Sequence, residues 1–174
     1  MMAKKDKRKK IYFACPWEKM NSVGYKDIVD ILSQFFIVVT AYDNEQKHEE
    51  KYGSRYYDIA LSLNTMQDKR YFDSINVMED FARDIVATDY QLVSNCDAFL
   101  AWYPSELSRP SIGPVWEHTW AYKLHKRPIF TICETLNPFA IHFSSAAFTD
   151  IDTFARLITA VIEKDAYYKP FRNY

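Results

Sequence analysis

The chain has 174 residues, of which 48% are hydrophobic and 17% aromatic, enough for one domain with a real core and too apolar for wholesale disorder. Its formal net charge of −1 argues against a nucleic acid polymer as partner, because a phosphate backbone calls for a clear basic excess. The one basic run, Lys4 to Lys10, reads as a solvated flexible tail over 1–10 or a weak electrostatic tether. No apolar region follows it as in a secretory signal, and no stretch approaches the ~20 apolar residues of a membrane span.

In chain order, 11–15 reads as a first strand stopped by Pro16, and 25–35 as a helix with Ile28, Ile31, Leu32 and Phe35 on one face. A second apolar strand covers 36–41. Residues 42–72 are polar, charged and Tyr-rich. They read as a long insertion with some helix near 57–63, serving as a lid or an oligomer contact. The apolar spacing from 72 to 95 fits one long helix. Residues 98–103 form a third strand, apolar enough to be buried on both faces. A loop with three prolines runs over 104–114, and a helix over 115–125. Residues 128–133 form a fourth strand. A loop with Asn137 and Pro138 comes next, then a short fifth strand over 143–148 and a helix over 151–164. There is no internal repeat and no low-complexity segment. Strand–helix alternation predicts a single α/β domain over 11–174: an open, mainly parallel five-stranded sheet of Rossmann-like type with helices on both faces.

In such a sheet ligands sit beyond the carboxyl ends of the strands, so the segments after the first, third and fourth strands (16–21, 104–117 and 134–142) are where chemistry is expected. The three glycines, Gly24, Gly53 and Gly113, are too scattered for GxGxxG or a P-loop, which leaves nicotinamide dehydrogenases and P-loop NTPases poor candidates. His48, His118, His125 and His142 form no HExxH and no zinc-ligand spacing, and GxSxG is absent. Cys15, Cys96 and Cys133 contain no CxxC and read as buried free thiols in a reducing, cytoplasmic setting. Carboxylates remain. Gly113 lets the backbone approach a ligand, and Pro114 suits a helix start. Glu117 is expected in the first helical turn, where free N–H groups and the dipole favour its ionised form; dipole-favourable decoration is the commoner explanation of such a residue. Asp89, on the long helix, is a second acid, or an exposed helix residue.

The segments 11–17 (Ile-Tyr-Phe-Ala-Cys-Pro-Trp), 89–97 (Asp-Tyr-Gln-Leu-Val-Ser-Asn-Cys-Asp) and 110–121 (Pro-Ser-Ile-Gly-Pro-Val-Trp-Glu-His-Thr-Trp-Ala), with Lys126-Arg-Pro128, resemble the nucleoside 2-deoxyribosyltransferase superfamily. That superfamily includes the 2'-deoxynucleoside 5'-phosphate N-hydrolases. The resemblance rests on an aromatic strand ending in a small-residue turn, an Asp eight residues before the Asp that opens the third strand, and a Gly four residues before a helix Glu. It implies a flavodoxin-like fold and cleavage of an N-glycosidic bond through a covalent glycosyl-enzyme intermediate, with transfer to another nucleobase or to water. By the same resemblance Glu117 is the nucleophile, Asp89 the acid/base and Tyr12 the residue that orients the nucleophile. Ser111, Gly113, Trp17, Asn137 and Tyr174 are substrate-binding residues. No cofactor and no metal are implied, and the partner is a small nucleoside or nucleotide. A homo-oligomer with shared sites is expected, Asn137, with Ser144 behind it, being the residue reaching a neighbouring subunit.

Ser111 bears on the substrate. Transferases of the superfamily usually carry Asp six residues before the nucleophile, whereas Pro-Ser-x-Gly resembles the monophosphate hydrolases. A neutral hydroxyl can donate to a phosphate oxygen that a carboxylate would repel. Against this, the loop 15–21 looks more like the transferase form and lacks a Ser/Arg/Gly-rich phosphate loop, leaving Lys19 or Arg109 as sources of positive charge. Gly is missing at positions 115 and 119–120, where many relatives carry small residues; Trp116 and Trp120 stand nearby and either narrow the pocket or pack in the core. Two rival functions stay open: a non-catalytic nucleotide-binding sensor on the same fold, and an NAD glycohydrolase, which also sets a Glu against a ribosyl bond.

Overall fold

A computed structural model describes residues 8–53, 75–106, 111–124, 126, 128–135 and 137–163. The elements in order are β1 (Lys10–Ala14), a 3-10 turn (Trp17–Lys19), α1 (Val23–Ser33), β2 (Ile37–Thr40), a 3-10 turn (Ala41–Asn44), α2 (Glu45–Tyr52), α3 (Ile75–Ser94), β3 (Ala98–Tyr103), α4 (Gly113–Lys123), β4 (Ile129–Cys133), α5 (Pro138–Phe143), β5 (Ala146–Phe148) and α6 (Ile151–Glu163). Every strand pair is parallel and the order is β2-β1-β3-β4-β5. This is the flavodoxin-like order, whose topological switch point lies between β1 and β3.

The chain divides into two compact units, one comprising 1–40 with 92–174 and the other 41–91. The division falls within α3, and the polar excursion belongs to the second unit. There α2 carries Lys51, which pairs with Asp84 of α3.

In the first unit, alternation along each strand sorts side chains to two faces. Ile11, Phe13, Leu100, Trp102, Phe130, Ile132 and Phe148 pack with Ile28 and Leu32 of α1 and Phe154 and Ile158 of α6. The other set, Tyr12, Ala14, Phe99, Ala101 and Ile129, packs with Val93, Cys96 and Ala121 of α4. Strands buried on both faces account for the near-continuous apolar runs in the sequence.

Local signals explain the helix ends. Ser22 caps α1 by accepting the Tyr25 N–H at 3.2 Å, and Asn21 before it takes a left-handed φ of 69°, which Asn tolerates better than most residues. Asn137 caps α5 by accepting the Ala140 N–H at 3.1 Å, with Pro138 at the first helical position. The expected loop at 137–138 is therefore a helix start, and the strand expected from 143 shortens to Ala146–Phe148 because Phe143 closes α5. Six residues are too few for a periodic pattern, but a capping Asn followed by Pro is a start signal in its own right. Helix α2 is a further departure from the expected elements: Glu-Gln-Lys-His-Glu-Glu-Lys-Tyr has strong helix formers and no apolar face, so propensity signals it where periodicity does not. The helix expected near 57–63 lies outside the described residues.

Candidate active site

The first unit brings Tyr12 and Glu117 together. Tyr12 stands on β1 at 0% exposure, and its phenol O–H donates to Oε1 of Glu117 at 3.1 Å. The Tyr12 ring is stacked on Phe99, its register partner on β3, with centroids 5.9 Å apart. Glu117 reaches this point from α4, which packs on both β3 and β1, and is 8% exposed. A carboxyl group so withdrawn from water needs a hydrogen-bond partner, and the tyrosine supplies one from β1.

Glu117 is not in the first turn of its helix. Helix α4 opens at Gly113 and its first turn holds no acid, so Glu117 lies one turn further in. The physical reason is Pro114: it occupies the opening turn of α4, where its missing N–H costs nothing, and it starts the helix two residues earlier than the apolar pattern suggests. The stabilisation expected from free N–H groups at the helix mouth gives way to the specific bond from Tyr12.

His118, the next residue, fastens α4 to the neighbouring strand. Its Nδ1 lies 3.0 Å from the Tyr103 hydroxyl at the end of β3, and that hydroxyl lies 3.3 Å from the Pro114 carbonyl. With His118 Nδ1–H donating to Tyr103 and Tyr103 donating to Pro114, both contacts are satisfied. The ring also meets Phe99 and Phe143, and Nε2 is buried with no hydrogen-bond partner among the described residues. Burial lowers the imidazole pKa to about 4, so His118 is neutral at physiological pH.

Burial, reinforced by the Glu117 charge, pushes the Cys15 thiol up to about 12. The Tyr103 phenol is also raised, by burial first and then by the charges of Cys133 and Glu117. Cys15, Cys96 and Cys133 are all free thiols.

The remaining expected site residues are dispersed in role. Gly113 is exposed, and a Cβ there would meet nothing within 4 Å; no packing among the described residues requires glycine, and its missing side chain leaves the opening backbone of α4 uncovered. Ser111, half-buried, lies two residues before that helix, next to its N-cap Ile112. Trp17, 47% exposed, opens the turn after β1. Trp116 is 56% exposed, whereas Trp120 packs against the β1–β3 core. Asn137 uses its side-chain oxygen as a helix cap. Ser144, buried, donates to the Ala140 carbonyl at 2.6 Å and shares a hydrogen bond with Thr131. Arg109 and Tyr174 lie outside the described residues. Asp89 belongs to the second unit; it sits half-buried on α3, and desolvation pushes its carboxyl up to about 7. Among the described residues no group of three His, Cys, Asp or Glu side chains could hold a metal ion, and no helix is long and apolar enough to cross a membrane.

No protein-family model matches the sequence, and no curated protein matches it. Solved structures do. One is the 2-deoxyribosyltransferase of the psychrotolerant bacterium Bacillus psychrosaccharolyticus, 18% identical, with a TM-score of 0.52 over 82% of this chain and 88% of that one. The chain has the fold of this Bacillus enzyme. Another is the 2-desoxiribosyltransferase of Leishmania mexicana, 13% identical, with a TM-score of 0.44 over 87% of this chain and 97% of that one.

The raised Asp89 carboxyl has a consequence for stability. Its ordinary pKa of 3.8 applies to the unfolded chain and about 7 to the folded one. Between these values the folded state holds a proton that the unfolded state has lost, so stability falls as pH rises from about 4 to about 7 and then levels off. Asp89→Asn removes this dependence: measured against wild type, the variant's melting temperature gains as pH climbs from about 4 to 8. A difference that stays constant across that range means that Asp89 titrates as an ordinary surface acid.

Proposed function

We propose that the chain cleaves the N-glycosidic bond of 2'-deoxynucleosides or their 5'-monophosphates, with Glu117 as the nucleophile. The observation that carries this reading is the buried Tyr12–Glu117 hydrogen bond, made from β1, one of the two strands that flank the switch point, beyond whose carboxyl ends open α/β sheets bind ligands. The fold shared with a 2-deoxyribosyltransferase and the sequence resemblance around Tyr12, Asp89 and Glu117 support it.

In the proposed reaction an oxygen of the Glu117 carboxylate attacks C1', forming a glycosyl ester as the bond from C1' to the base nitrogen breaks. Tyr12 holds the carboxylate in place by its O–H. The departing base takes a proton from an acid, and Asp89 is our candidate: a carboxyl with a pKa of about 7 is substantially protonated at neutral pH, as a proton donor must be. Deprotonated Asp89 then takes a proton from water, whose oxygen attacks C1' and returns the Glu117 carboxylate. A second nucleobase in place of water makes the outcome transfer. Two carboxyl groups working in this sequence are the logic of retaining glycoside cleavage.

A neutral Ser111 just before α4 favours the 5'-monophosphate, because its hydroxyl can donate to a phosphate oxygen. By the family resemblance the active sites are completed between copies of the chain, making the working unit a homo-oligomer.

Two measurements test this reading. The first incubates the protein with deoxynucleosides and deoxynucleoside monophosphates, with and without a second base, and follows free base by chromatography. Wild type should release or exchange the base; Glu117→Gln, which keeps an acceptor for Tyr12 but cannot act as the nucleophile, should be slower by roughly a thousandfold or more while folding normally. Binding without any product identifies a nucleotide-binding protein instead, and activity in the variant removes Glu117 from its role. The second compares substrates in Ser111→Asp: the ratio of kcat/KM for monophosphate over nucleoside should fall by roughly tenfold or more through charge repulsion. An unchanged ratio rejects Ser111 as a phosphate contact.

A further inference from the structure

Glu134, the first residue beyond β4, takes no part in the chemistry above, yet its carboxylate gathers three donors. Oε1 accepts the indole N–H of Trp102 at 2.9 Å. Oε2 accepts the backbone N–H of Ser105 at 3.0 Å and its hydroxyl at 3.2 Å. The Glu134 N–H in turn donates to the Tyr103 carbonyl at 3.0 Å. One side chain just beyond β4 thus holds the last residues of β3 and the first residues of the segment leading to α4.

The anchor on the β3 side is rigid. Trp102 is 4% exposed and lies in the core. It presses so close to α1 that a Cβ on Gly24 would stand 2.9 Å from Trp102 Cη2 and from Ile151 Cδ1. The indole therefore has no room to shift toward α1, and Glu134 is held against a fixed post. The far end of the same connection is also fastened to β3, by the Tyr103 hydroxyl on the Pro114 carbonyl. Ser111 lies between these two attachments, and Gly113 directly before the second.

We propose that Glu134 is a positioning residue: it clamps the start of the β3–α4 connection to β4 and so sets where Ser111 and the opening turn of α4 meet the substrate. This rests on the reading of Ser111 as a substrate contact. A carboxylate suits the task because both oxygens accept. An amide accepts with one atom only, and its NH2 must then face either the Trp102 N–H or the two Ser105 donors.

The test is Glu134→Gln, measured by hydrogen exchange over 103–112, by melting temperature, and by kcat and KM on a deoxynucleoside monophosphate. The clamp predicts faster exchange in that segment, a KM raised roughly tenfold with kcat within about threefold, and a melting temperature close to wild type. Unchanged exchange with unchanged KM overturns it. So does a lower melting temperature with kcat reduced and KM constant, the mark of a merely structural residue. Should Glu134→Gln fail to fold, Ser105→Ala, which deletes only the hydroxyl bond, should move exchange and KM the same way by less, and no movement overturns the clamp. If wild type turns over no nucleotide, the functional reading fails while the exchange measurement still decides the clamp.

Discussion

The hydrogen bond from Tyr12 to Glu117 is the constraint on which the arrangement of this chain depends. A carboxylate withdrawn from water is costly unless donors replace the lost hydration, and a hydrogen bond to a charged group contributes about 1.5–3 kcal/mol. Tyr12 can serve only because it is itself immobile, fully buried on β1 and stacked on Phe99 of β3. The next helix residue, His118, makes the complementary attachment to Tyr103 of β3. Two consecutive residues of α4 are thus fixed to two adjacent strands. Since neighbouring helix positions differ by about 100° around the axis, this pair sets both the rotation and the placement of α4 across the switch point.

The same burial shapes the electrostatics of this corner. Cys15 and Tyr103 are both driven away from ionisation, by burial first and in part by Glu117, so both stay neutral at physiological pH. His118 is driven toward neutrality and supplies a hydrogen bond without a countercharge. The chain thereby separates two tasks: polar side chains that hold α4 stay neutral, while Glu117 keeps an accepting oxygen toward Tyr12. At the neighbouring strand end, Glu134 does for the β3–α4 connection what Tyr12 does for Glu117, one side chain fixing a group that must not wander.

Much of this was legible in the sequence. The sheet and its flanking helices follow from apolar runs at 11–15, 98–103 and 128–133 alternating with helical spacing. The Tyr12–Glu117 partnership was reachable from the resemblance, because both residues fall within matched motifs. What escaped is local or three-dimensional. Short α5 and polar α2 carry no periodic pattern. Helix α4 starts at Gly113, two residues before its apolar pattern begins, because neither Gly113 nor Pro114 contributes to that pattern. The roles of Tyr103, His118 and Glu134 depend on which strand ends lie side by side, and that order, β1 beside β3 beside β4, is not written in any single segment. A polar residue directly after an apolar strand, as Glu134 is, was the signal available.

In the proposed reaction the Glu117 side chain, steadied by Tyr12, becomes bonded to the sugar during turnover. The most direct measurement is to quench wild-type protein within milliseconds of mixing with a deoxynucleoside monophosphate and map the digested chain by mass spectrometry. The account predicts a deoxyribosyl phosphate adduct on the peptide containing Glu117, absent when Glu117 is replaced by Gln. Base release with no adduct at any time point, or an adduct seated on another residue, contradicts it.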